Sequence, residues 1–77
     1  MMKADGFDEA CIGVGSRCGA ADVLVYDIDK AVEILMKRDG MDVIDAYEYI
    51  EVNCVGSYVG DTTPIWVRPL DGELDER

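Results

Sequence analysis

The sequence predicts a small α+β domain with its elements in the order α-β-α-α-β. Two amphipathic helix patterns, each with its own start signal, follow one another between Asp27 and Cys54. A β-branched apolar run, Asp22-Val23-Leu24-Val25-Tyr26, precedes them. A second short run, Ile65-Trp66-Val67, follows them. Two strands with a helical pair between them can pair with each other, the helices covering one face.

Residues 1–6 are expected to fray, as chain ends do. Phe7, Cys11, Val14 and Cys18 then recur at spacings of four, three and four, the stripe of a helix face. Gly13 and Gly15 oppose this, each costing about 1 kcal/mol against alanine inside a helix. A strand over Ala10–Val14 competes. The stripe is preferred, so a helix ending at Gly19 is expected, its glycines allowing close approach of a neighbour.

Asp22–Tyr26 lacks alternation and reads as a buried strand. Asp27 stops it and caps the next helix, its carboxylate accepting from an exposed N–H. Ile28, Ala31, Val32, Leu35 and Met36 form one apolar face. Lys37 and Arg38 suit the negative end of the helix. Gly40 is the expected left-handed cap, with Met41 folding back. Asp42 caps the second helix, with Asp45 in its first turn. Val43, Ala46, Tyr47, Ile50 and Cys54 form its expected buried stripe. Asp45, Glu48 and Glu51 form an acidic outer face. Ser57-Tyr58-Val59, between Gly56 and Gly60, reads as an ordered loop. Asp61-Thr62-Thr63-Pro64 is turn chemistry. Pro69 ends the last strand, and residues 71–77 are expected to be a mobile acidic tail.

The 77 residues allow one small domain, 1–77, and 49% of them are apolar, enough for a core. Two-stranded sheets are weak alone and their open edges invite a second copy, so a homodimer with a continuous sheet is one expectation. No apolar run reaches the roughly 18 residues of a membrane span. No apolar signal core follows Met1-Met2-Lys3. With an odd cysteine count (Cys11, Cys18, Cys54), that points to free, buried thiols in a reducing cytoplasm.

The net charge of −10, from 17 acids and 7 bases, disfavours direct contact with a nucleic-acid backbone. It suits a basic protein partner, or serves solubility alone. No cofactor motif survives inspection. Gly13-x-Gly15-x-x-x-Gly19 is one residue too long for a dinucleotide loop and follows no clear strand. The pair Asp27-Ile28-Asp29 lacks the glycine and glutamate of a calcium loop. Without histidine, a zinc site would need a carboxylate beside the three cysteines. Nucleophilic catalysis lacks its usual base, and no catalytic residues are assigned. Tyr26, Tyr47, Tyr58 and Trp66 are expected around one end of the sheet. Arg17 and Asn53 would supply donors there, so Arg17, Tyr26, Asn53 and Trp66 are the candidate lining of a small-ligand site. Core packing of the aromatics is the alternative, with Asn53 binding backbone in the following loop.

A longer pattern is carried by Tyr26, Asp27, Lys30, Arg38, Asp39, Gly40, Met41, Ala46, Glu48, Tyr49, Asn53, Gly56, Gly60, Thr63, Pro64 and Ile65. In this it resembles small proteins encoded by bacteriophages. The resemblance covers residues 26–65 and implies expression in the cytoplasm of a bacterial host. It implies no activity and no catalytic residues. Elimination, charge and this resemblance together favour a non-enzymatic accessory protein that binds a host or phage macromolecule. A protein that binds or sequesters a nucleotide-like ligand, with its pocket at a dimer seam, is the second expectation.

Overall fold

The computed structural model describes residues 1–56 and 60–68 of the chain. A 3-10 turn at Asp8–Ala10 leads into strand β1 (Cys11–Gly15) and strand β2 (Val23–Asp27). Helices α1 (Ile28–Asp39) and α2 (Val43–Ile50) follow, then a π-helical segment at Glu51–Val55 and strand β3 (Ile65–Val67). The fold is α+β. Its sheet has three strands in the order β1-β2-β3, with β2 antiparallel to β1 and parallel to β3. A parallel pair needs a crossover, and α1 and α2 supply it.

The first element corrects the expected order. Residues 11–15 are a strand, and the helix expected over 7–18 is absent. Of its supposed stripe, Phe7 is buried and Cys11 half-buried, but Val14 and Cys18 are exposed. A stripe so poorly buried cannot offset two interior glycines, at about 1 kcal/mol each. In the strand Gly15 has a use. A Cβ there would stand 3.0 Å from Cγ2 of Val25 on the central strand. Gly19 is left-handed, with φ +78°, but it shapes the β1–β2 connection rather than a helix end. A bulge lies between Cys11 and Gly13.

Both helices begin, and α1 ends, as their cap residues dictate. The Asp27 carboxylate accepts from the Lys30 N–H at 3.2 Å, and Gly40 closes α1 at φ +71°. The Asp42 carboxylate accepts from the Asp45 N–H at 2.8 Å. On α1, Ile28, Ala31, Val32 and Leu35 are buried, whereas Met36 is exposed. On α2, Ala46 and Ile50 are buried, Tyr47 and Cys54 are half-buried, and Val43 is exposed, contrary to its expected place in the stripe.

The core joins these helix faces to Phe7, Ala10 and Tyr26, with Leu24, Met41 and Trp66 packed against it. Full burial of each large side chain, such as Tyr26, Leu35 or Ile50, is worth about 1.5–3 kcal/mol. Trp66 stacks on Tyr26 at 4.9 Å and takes Phe7 edge-on at 5.8 Å. The stretch expected to fray is tied to distant parts of the fold. The Ala4 N–H donates to the Tyr26 hydroxyl at 2.9 Å. The Gly6 carbonyl accepts from Arg38 at 2.9 Å. The loop expected at Ser57-Tyr58-Val59, the stop at Pro69 and the tail 71–77 lie outside the described residues.

Candidate functional site

The four residues expected to line a ligand site do not converge. Tyr26 is fully buried, and its hydroxyl is committed to Ala4. Trp66 is half-buried against it. Arg17 is exposed in the β1–β2 connection, near the start of β2, whereas Tyr26 lies toward its end. Asn53 is exposed, and its amide donates to the Tyr49 carbonyl one turn earlier; residues 57–59 of the following loop lie outside the described residues. The Tyr26–Trp66 pair is therefore core packing. Tyr58 lies outside the described residues.

Two clefts stand out among the described residues. One, of about 600 Å³, runs between the 3-10 turn and α1 and is lined by Asp8, Glu9, Lys30, Glu33, Ile34 and Lys37, among others. Its charges are mixed. Arg38 at its end is held by Asp39 and Gly6 and lies 5.6 Å from the centre of the Phe7 ring. The hydrogen bond to Asp39 holds the Arg38 guanidinium above its ordinary pKa. Arg38 thus pins the N-terminal segment to α1. The second cleft, of about 540 Å³, lies at the other end of the sheet. Arg17, Ala20, Val23, Val55, Pro64 and Ile65 contribute to its walls.

Tyr47 ties the two helices together. Its hydroxyl donates to the Asp29 carboxylate in the first turn of α1. That bond, followed by desolvation, raises the Tyr47 pKa above its ordinary value of 10.0. The cysteines are all free. Cys18 is exposed rather than buried, while Cys11 and Cys54 are half-buried, and burial pushes the Cys54 thiol up. Among the described residues no three potential metal ligands cluster. No helix among them is long and apolar enough to cross a membrane.

The outward side of α2 carries the most distinctive surface. Asp45, Glu48 and Glu51 are all exposed, and Glu51 pairs with Arg68 at 2.8 Å. The aliphatic residues among them were not singled out from the sequence. Ile44 is 75% exposed and Val52 is 66% exposed. With Glu48 they occupy every fourth position, so they share one ridge. Val55 continues it three residues on and is also exposed. The signal was present as a remainder. Ile44 and Val52 fall outside the buried stripe, beside carboxylates, where a solvated face would carry polar residues.

No family model, no curated protein and no solved structure matches this chain. The reading of its surfaces therefore rests on their chemistry.

Proposed function

We propose that this chain is a non-enzymatic, acidic accessory protein of a bacteriophage, acting in the host cytoplasm by binding a partner protein through the outward ridge of α2. One observation carries the reading. Ile44 and Val52 are both largely exposed on the side of α2 that carries Asp45, Glu48 and Glu51. Exposed aliphatics aligned along a helix beside a carboxylate-rich face suit recognition of the helix by an apolar groove. The matching surface is an apolar groove rimmed by lysine and arginine. The net charge of −10 would speed encounter with it.

The test compares capture from bacterial lysate by the native chain, by Ile44→Asp/Val52→Asp, and by a charge reversal of Asp45, Glu48 and Glu51. The native chain should retain one stoichiometric protein with an apolar groove and a basic rim. The aliphatic variant should lose it. The charge variant should bind more slowly and with weaker salt dependence. Retention of the same protein by the aliphatic variant would remove the ridge from the interaction.

One observation favours a second reading. The cleft beside Arg17 falls in the size range of small-molecule sites, roughly 300–1,000 Å³. Arg17 would face an anionic, nucleotide-like ligand there. Thermal shifts across a nucleotide panel that vanish in Arg17→Ala would place this reading first.

A further inference from the structure

We propose that two copies of the chain join β1 to β1, antiparallel, about a two-fold axis at Gly13. The product is one six-stranded sheet with the order β3-β2-β1-β1-β2-β3. β1 is the longer of the two edge strands, with five residues against three in β3. Among the described residues its outer edge pairs with no strand. An open edge is a template for another strand, and proteins usually blunt it with charge, proline or a bulge. β1 has the bulge, between Cys11 and Gly13, but Cys-Ile-Gly-Val-Gly contains neither charge nor proline. Ile12 and Val14 on it are 50% and 53% exposed. Nothing lies within 4 Å of the position a Gly13 Cβ would take, so the face of the sheet is uncovered at the middle of the strand.

Charge selects a second copy as the occupant. A chain of net charge −10 repels itself over most of its surface. The β1 edge is an uncharged stretch where two copies can meet without opposing carboxylates. With Gly13 opposite itself, Cys11 faces Gly15 and Ile12 faces Val14 of the second copy. Glu9 in the 3-10 turn and Arg17 in the β1–β2 connection flank β1 on opposite sides, so the two-fold brings Glu9 of one copy and Arg17 of the other to the same end of the seam, once at each end. Both residues are exposed, and among the described residues neither has an ion-pair partner. The symmetric seam gives each a partner. Because the pairing matches residues of like face, both helical layers lie on the same side of the joint sheet.

The experiment is sedimentation of the full chain over a concentration series, under reducing conditions so that the exposed Cys18 forms no disulfide. The native chain should run as a dimer that dissociates on dilution. Val14→Lys puts a like charge twice into the seam and should yield a monomer. Glu9→Arg and Arg17→Glu alone should each weaken the dimer at least about tenfold, because each opposes like charges twice. The double exchange Glu9→Arg/Arg17→Glu should restore it. These exposed positions leave the core intact, and circular dichroism checks that each variant folds. A native chain that stays monomeric at all concentrations overturns the proposal. So does a dimer indifferent to Val14→Lys, and so does a double exchange that fails to restore the single losses.

Discussion

At the scale of single residues, the tyrosines divide by what their hydroxyls do. Tyr26 is a core residue whose polar tip satisfies the Ala4 N–H, so its burial strands no donor. Tyr47 joins α1 to α2 through Asp29, and the bond exists only while the phenol keeps its proton. The sign of the pH effect follows. The folded pKa is raised above the ordinary value, so the bond contributes fully below that value and is lost as pH rises through the folded one. Stability should therefore fall on going from neutral pH to about pH 11 more steeply in the native chain than in Tyr47→Phe. Urea midpoints at the two pH values measure this. Equal slopes in both chains would show that Asp29 holds nothing through Tyr47. Cys54, whose thiol is also raised by burial, should react with iodoacetamide more slowly than the exposed Cys18.

At the scale of elements, local signals explain what the sequence revealed. Asp27, Gly40 and Asp42 act through bonds and dihedrals within a few residues, so both helices were legible down to their caps. β1 was legible only as the competing strand over Ala10–Val14, because its register is set by partners distant in sequence, Tyr26 with Cys11 and Leu24 with Val14. A four-three-four spacing imitated a helix face, and only burial shows that Val14 and Cys18 never enter the core. The candidate surface was half legible. The carboxylates at 45, 48 and 51 announced a solvated face, but no local signal set the exposed Ile44 apart from the buried Ala46 and Ile50 of the same helix. The π-helical segment was invisible as well. Gly56 closes it by donating to the Glu51 carbonyl at 3.0 Å. A Cβ on Gly56 would sit 3.2 Å from the carbonyl oxygens of Glu51 and Val52, both backbone atoms. Alanine normally favours helix over glycine by about 1 kcal/mol, so the outcome of Gly56→Ala is diagnostic. Here the crowding should win, and the variant should be destabilised by roughly 1 kcal/mol in urea titration. Stabilisation instead would mean that the segment rewinds readily to an ordinary α-helix.

At the scale of the whole molecule, charge works against the fold that the core supports. Seventeen acids face seven bases. Among the described residues the ion pairs are Lys3–Asp8, Arg38–Asp39 and Arg68–Glu51, all exposed. Exposed pairs are worth about 0–1 kcal/mol each, so screening them removes little. The repulsion among unpaired carboxylates acts over longer distances, and the Debye length of about 10 Å at 0.1 M salt cuts it off. Added sodium chloride should therefore stabilise the chain. Raising it from about 0.02 M to about 0.3 M should lift the melting temperature by several degrees, most of the gain coming in the first tenth molar. Protein concentration must be fixed, since a dimer would make melting depend on it. A fall in melting temperature would mean that attraction between charges outweighs repulsion in the folded chain. That result would also weaken the case for β1 as the seam, since meeting at an uncharged edge matters only while the rest of the surface repels its copy.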